Sequence, residues 1–233
     1  MRYELYYWPM IQGRGEYVRL ALEEAGAAYA DVARDKGVAA MMRMMQSAKT
    51  PPFAPPFLVA GKAVIGQTAN ILHYLGPRHG LAPTAEPGRR WVHQVQLTIA
   101  DLVQEAHDTH HPLGASLYYE DQRAAAKRRT DGFWSDRVPK FLGYFERLVA
   151  EGGGRYVTGR KLTYADLSLF QIVEGLRYAF PTRMARFERT IPRLVALHDA
   201  VAGRPNIKAY LASERRIPFN EDGIFRHYKA LDA

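Results

Sequence analysis

The sequence predicts an α/β plus all-α chain, with an α/β unit over residues 1–80 and a helical unit over residues 88–233. Three observations carry this. Short aromatic and β-branched runs alternate with an amphipathic segment in the first part, as strands around a helix do. A stretch studded with proline and glycine, Pro77 to Gly88, then interrupts the pattern as a linker. Beyond it the apolar spacing is helical throughout. The chain has 233 residues, 47% of them hydrophobic, enough for one large core or two small ones.

Tyr3 to Trp8 is rich in aromatic residues and reads as a strand, which Pro9 ends because proline removes a ladder donor. A loop, Met10 to Gly15, leads to a helix from about Glu16 to Ala25. Tyr17, Val18, Ala21, Leu22 and Ala25 form its apolar side, and Gly26 supplies a left-handed stop. Tyr29 to Ala33 is a second strand. Asp35 to Phe53 carries Met41, Met42, Met44 and Met45. That cluster suits an adaptive ligand surface or, more commonly, an irregular core that needs filling. Pro55-Pro56 enters a short apolar run, a turn at Gly61 follows, and a second apolar run returns. Gly66-Gln67-Thr68 then opens a helix, Ala69 to Leu75, stopped by Gly76-Pro77. The order β-α-β then β-β-α is that of the thioredoxin-like fold.

In the second part, Val92, Val95, Ile99, Leu102, Val103 and Ala106 trace one face of a long helix that ends before Pro112. Gln122 to Ala150 reads as helix, kinked at Pro139 and broken by Gly152-Gly153-Gly154. Thr163-Tyr164-Ala165-Asp166 matches a capping pattern, a hydroxyl with an acid three residues on. Because the acid is Asp and not Glu or Gln, the alternative is that it ties to the preceding backbone. A further helix starts near Pro192 and stops at Gly203-Arg204-Pro205.

Composition narrows the chemistry. There is no cysteine, hence no disulfide, no thiolate metal ligand and no protein thiol nucleophile. Met1-Arg2-Tyr3-Glu4 leads into a strand, not into a signal-peptide core, and no apolar run approaches transmembrane length, so a cytoplasmic protein without a membrane partner is expected. The net charge is +8. Such a charge invites a nucleic-acid reading, but no block of like charge stands out beyond Lys127-Arg128-Arg129, and dispersal is the expectation.

One stretch, Pro55 to Thr68, has the makings of a pocket. A proline at a strand mouth often marks a cis bond. The helix start at Gln67-Thr68 presents unpaired N–H groups and a positive dipole end, which suit a carboxylate.

Tyr7-Trp8-Pro9, Arg14-Gly15, Val18-Arg19-Leu20, Pro56, Gln67-Thr68 and Leu162-Thr163-Tyr164-Ala165-Asp166 occur in this order. Together with the absent cysteine and the α/β-then-helical order, they resemble the cytosolic glutathione S-transferases of the tyrosine type (alpha, mu, pi and sigma), with a bacterial-type member expected. The resemblance runs from about Tyr3 to Leu211. It implies an enzyme that uses glutathione as co-substrate, with no permanently bound cofactor and no metal, and conjugates it to a small, largely apolar electrophile. It also implies a homodimer.

On this resemblance Tyr7 is the catalytic residue, its hydroxyl donating to the glutathione sulfur. A free thiol with a pKa near 8.5 is mostly protonated at neutral pH, and only the thiolate attacks well. Strand alternation puts Tyr6 on the opposite face from Tyr7; the other reading of Tyr7 is a plain core aromatic. Glutathione-binding positions are Tyr7, Arg14, Lys49, Pro55, Pro56, Gln67, Thr68 and Asp101 of the partner subunit. Lys49 is equally readable as a solvated lysine, and Asp101 as a surface acid. Trp8, His107 and His111 line the electrophile pocket. The cluster His107-Asp108-Thr109-His110-His111 otherwise reads as a solvated helix end, and it lacks a third ligand for a metal. Pro55 departs from the family pattern. The residue before the cis-proline normally gives N–H and C=O to the cysteinyl part, and proline has no N–H, so a shifted or weaker grip is expected. The tail, Arg215 to Tyr228, either folds over the pocket or packs elsewhere. Rival readings are a carrier of glutathione or apolar ligands without turnover, and an isomerase or peroxidase built on the same thiolate.

Overall fold

The computed structural model describes residues 2–114 and 116–233. Strand β1 (Tyr3–Tyr6), helix α1 (Gly15–Glu24) and strand β2 (Tyr29–Asp31) form a β-α-β unit. Two short helices, α2 (Val32–Lys36) and α3 (Val38–Ser47), precede the hairpin of β3 (Phe57–Ala60) and β4 (Ala63–Gly66) and helix α4 (Thr68–Arg78). The sheet order is β2-β1-β3-β4, with β1 parallel to β2 and the other pairs antiparallel. Tyr6 pairs with Phe57, so the register carried one step on sets Tyr7 opposite Pro56.

Two apolar layers cover the sheet. Tyr3, Leu5 and Leu58 pack with Val18 and Leu22 of α1 and Ile71 and Leu75 of α4. On the other face Tyr6 stacks on Phe57 at 4.6 Å, and Met41 is buried there with Met42, Met44 and Met45 against it. The methionines therefore fill an irregular core, as a flexible thioether does well. Helix α1 is buried on two sides, since Tyr17, Leu20 and Ala21 join the helical core.

That core is built on α5 (Glu86–Asp108), α6 (Arg123–Gly132), α7 (Val138–Glu151), α8 (Tyr164–Ala179), α9 (Pro181–Phe187), α10 (Pro192–Ala202) and α11 (Pro205–Leu211). Helix α8 is central and packs on α1, α5 and α10. Among the described residues no helix is long and apolar enough to cross a membrane.

Several boundaries differ from those the sequence suggests. Strand β1 ends at Tyr6, not Trp8, because only Glu4, Leu5 and Tyr6 find partners on β3. Val32 and Ala33 begin α2 instead of extending β2; both are buried beside Met41, which a helix turned onto the sheet achieves. Pro77 does not stop α4, which runs to Arg78. The last turn survives because His79 N donates to Leu75 O and Leu81 N to Gly76 O, while the Tyr164 ring lies against Gly76. The linker shrinks accordingly: α5 already starts at Glu86, with Pro87 in its first turn, where a missing N–H costs nothing. The kink at Pro139 is a wide turn over Phe133–Arg137, ahead of α7. It makes room for a proline that cannot donate to the preceding turn.

Candidate functional site

Tyr7 leaves β1 and runs under the turn at residues 13–15. A Cβ on Gly13, whose φ is +44°, would come 2.1 Å from the Tyr7 oxygen, and one on Gly15 would come 2.5 Å from the ring. Glycine is required at both positions for this close approach. The Arg14 N–H donates to Tyr7 Oη at 2.8 Å. The Arg19 guanidinium lies 5.8 Å from the ring centroid. Burial pushes the Tyr7 phenol up, and the Arg14 N–H with the charges of Arg14 and Arg19 offsets only part of that rise. Tyr7 is therefore a neutral phenol at neutral pH: an acceptor lone pair is engaged, and its proton is available to donate.

Arg19 is held from below. It donates through Nε to Asp31 at 2.7 Å and pairs through Nη1 with Glu16 at 3.3 Å. Glu16, fully buried, also accepts from Tyr210 Oη at 2.6 Å and pairs with Arg216. This network ties α1 to α11 and to the chain beyond it.

The Pro55–Pro56 bond is cis. Gln67, at φ +69° and ψ 121°, turns the chain into α4 in a conformation that costs a side-chain-bearing residue about 1–3 kcal/mol. Such strain persists where surrounding structure imposes it, commonly at ligand clamps. Thr68 Oγ1 donates to Arg14 O at 3.2 Å, which joins the α4 N-terminus to the turn over Tyr7. Arg14, Tyr17, Gln67 and Thr68, with Leu97 and Val103 of α5, line a cavity of about 280 Å³.

The Arg14 side chain reaches α5, where Nη2 donates to Gln104 Oε1 at 2.7 Å; Gln104 Nε2 donates in turn to Asp108 Oδ1 at 2.7 Å. Beyond lie three imidazoles in mutual contact, His107, His110 and His111, with ring centroids 4.7–5.1 Å apart. His107 is pulled down to about 4 by burial, then by His111 and Arg14. Burial takes His110 down to about 3 and also lowers His111. All three are neutral at neutral pH, and His110 Nε2 donates to Ile224 O at 2.8 Å.

That contact belongs to the tail, which folds back across the molecule. Gln12 Nε2 donates to Ile217 O at 2.5 Å and Asn220 Nδ2 to Met10 O at 2.7 Å. Ile224 and Phe225 are buried, and only about 10 Å³ remains between this segment and Gln12-Gly13. A Cβ on Gly175 would lie 2.2 Å from the Phe225 ring. Gly175→Ala is therefore expected to expel that ring, at a cost of about 1–3 kcal/mol, and to expose the tail. Limited proteolysis should cut the variant between Asn220 and Tyr228 faster than the wild type; equal rates would contradict this packing.

The structure thus gathers Arg14, Gln67 and Thr68 at one cavity, with Tyr7 bonded to the Arg14 N–H but outside the cavity lining, as are Pro56, His107 and His111, and with the two histidines beyond the Arg14 side chain. It does not gather the rest. Trp8 is 41% exposed and does not line the cavity. Lys49 is exposed and away from the cavity, and Pro55 is half-buried before β3. Asp101 is exposed and faces a separate hollow with Arg137, Lys140 and Tyr144. Sequence reasoning gave Tyr17 and Gln104 no role in the site and named His110 only as a member of the histidine cluster. Tyr17 stands three residues after Arg14 on α1, a spacing that shares a face; Gln104 gave no comparable signal.

The family model described as glutathione S-transferase, C-terminal domain, matches residues 107–214. Glutathione S-transferase P 1 of Xenopus laevis is 26% identical over 221 residues, covering 92% of this chain and 93% of its own. The Pi-class glutathione S-transferase of Onchocerca volvulus superposes with a TM-score of 0.72 at 24% identity, over 96% of this chain and 99% of that one. Prostaglandin synthase D of Nilaparvata lugens gives 0.73 at 21% identity, over 94% and 100%. Along nearly its whole length the chain is thus similar to glutathione S-transferases, and its fold is theirs.

Proposed function

We propose that this protein is a glutathione transferase in which the Tyr7 hydroxyl holds the glutathione sulfur as a thiolate. The observation that carries the reading is Tyr7 itself, a phenol kept neutral by burial with its oxygen positioned by the Arg14 N–H. The thiol proton leaves to solvent and the sulfur lone pair forms the bond to the electrophilic carbon. The leaving group departs with its electron pair, or the electrophile's π bond takes it up. Gln67, Thr68 and Arg14 hold the γ-glutamyl end at the α4 N-terminus, and Pro56 lies beside the cysteinyl part. Pro55 offers that part a carbonyl but no N–H, so its grip is looser by about 1 kcal/mol. Lys49 closes on the glycyl carboxylate only if its loop moves inward. Trp8, His107 and His111 face the second substrate, a small and largely apolar electrophile.

The protein works as a cytoplasmic homodimer in this reading. Asp101 lies outside the lining of its own subunit's cavity, and in this reading it completes the site of a second copy. Phe53 is 95% exposed and Leu97 49% exposed, apolar surface that pairing of two copies would cover. The second reading, a carrier without turnover, is favoured by the buried Tyr7 oxygen and the folded-back tail.

The test is titration of the bound thiol. Glutathione added to the protein should show the ultraviolet band of a thiolate at neutral pH, with a pKa about two units below that of the free thiol. Binding without a thiolate band would favour the carrier.

A further inference from the structure

We infer that Gln12 is a positioning residue for the Tyr7 hydroxyl, its side-chain amide tying the turn that lies on that hydroxyl to α8 and to the tail. The inference rests on the functional reading above and adds to it a residue that acts through another. The turn needs such a tie. Gly13, at φ +44°, stands alone between Gln12 and Arg14, and the Tyr7 oxygen lies where its Cβ would be. Glycine samples φ and ψ more widely than any other residue, so it fixes nothing by itself. The placing of the Arg14 N–H on Tyr7 Oη therefore depends on what holds the residues on either side of Gly13. Arg14 is held from α4, where Thr68 Oγ1 donates to its carbonyl. Gln12 must supply the other hold.

It does so at both ends of the residue. The Gln12 carbonyl accepts from Glu16 N at 3.0 Å and from Arg19 Nη1 at 3.4 Å. Its side chain is buried, with Nε2 donating to Ile217 O at 2.5 Å and Oε1 accepting from Gln171 Nε2 at 2.7 Å. Both partners are themselves fixed. Gln171 is buried on α8, and its Oε1 accepts from Arg216 Nη2 at 3.1 Å. Ile217 is buried, and Phe219 just beyond it stacks on Tyr178 at 4.8 Å. About 10 Å³ is left beside Gln12 and Gly13, too little for the amide to swing to another partner. One side chain thus carries the hold of α8 and of the tail, 159 and 205 positions away, to the turn over Tyr7.

Gln12→Met tests this, because it keeps the length of the side chain and removes both of its bonds. Gln171→Met loosens the same amide from α8 and serves if the first variant does not fold. The readout is the thiolate band of glutathione bound at saturation. The pKa of the bound thiol should rise by about one unit in either variant, so that the thiolate fraction at pH 6 falls about eightfold. In a Tyr7→Phe background the same substitution should shift it by less than about 0.3 units, since no hydroxyl is left to position. A folded variant whose bound thiol titrates as in wild type overturns the inference. So does a shift of equal size with and without the Tyr7 hydroxyl, which would make Gln12 a structural residue only. If wild type binds glutathione without a thiolate band, the functional reading falls first and this inference with it.

Discussion

Tyr7→Phe should lower the turnover of an aryl halide with glutathione by about 25-fold at pH 7. Bringing a thiol from a pKa near 8.5 down by about two units takes roughly 2.7 kcal/mol of preference for the thiolate. A single hydrogen bond to a charged sulfur supplies about 1.5–3 kcal/mol, so one hydroxyl accounts for most of the shift. The phenol can do this because burial keeps it protonated and the Arg14 N–H occupies a lone pair of its oxygen. At pH 7 a thiol of pKa about 6.5 is roughly three-quarters thiolate and one of about 8.5 roughly 3%, so the preference shows as a gap of about 25-fold that approaches a hundredfold only below about pH 6. The variant also leaves the Arg14 N–H without its acceptor, which lowers stability by about 1–3 kcal/mol. Its pH profile separates the two effects. If the hydroxyl stabilises the thiolate, the variant's rate climbs with pH until the thiol ionises unaided, near 8.5, and the gap to wild type narrows there. A gap that stays constant from pH 6 to 9 would make Tyr7 a structural residue.

The α/β-then-helical order could be read from the sequence because apolar period and proline-glycine punctuation are local. So could Tyr7, Pro56 and Gln67-Thr68, which sit in short motifs with a recognisable context. The misread boundaries lie where tertiary packing outvotes a local rule. Val32 and Ala33 are β-compatible residues drawn into a helix by the Met41 core, and Pro77 is tolerated because Leu81 and Tyr164 secure the turn around it. The least legible parts of the site depend on contacts between distant residues. Gln12 meets Gln171 across 159 positions, and His110 meets the Ile224 carbonyl across 114. No window of sequence contains such a pair.

Asp166→Ala is expected to be the most destabilising of these changes, lowering the melting temperature by roughly 6–12 °C, or about 3 kcal/mol for a chain of this size. The carboxylate is fully buried at the start of α8. It accepts from Val157 N at 2.8 Å through Oδ1 and, through Oδ2, from Thr163 N at 2.7 Å and Thr163 Oγ1 at 2.8 Å. Both expectations for the capping pattern thus hold together, since the acid satisfies the N-cap residue and also the preceding loop. Alanine would leave those donors buried and unpaired. The loss would extend to the site, because α8 carries Ser168, which holds Gln96 at the cavity wall, and Gln171, which holds Gln12 beside Tyr7's turn. The pH dependence has a definite sign. Burial pushes Asp166 up to about 6 from 3.8, ahead of the lowering effect of its hydrogen bonds. A carboxyl whose folded pKa is raised stabilises fully below about pH 4 and loses that part of its contribution as pH rises through 6. Calorimetry from pH 4 to 8 should therefore find the wild-type advantage over Asp166→Ala shrinking up to pH 6 and constant above it. An advantage that grows with pH would mean that the hydrogen bonds outweigh burial, with the carboxylate, not the acid, the form preferred at the start of α8.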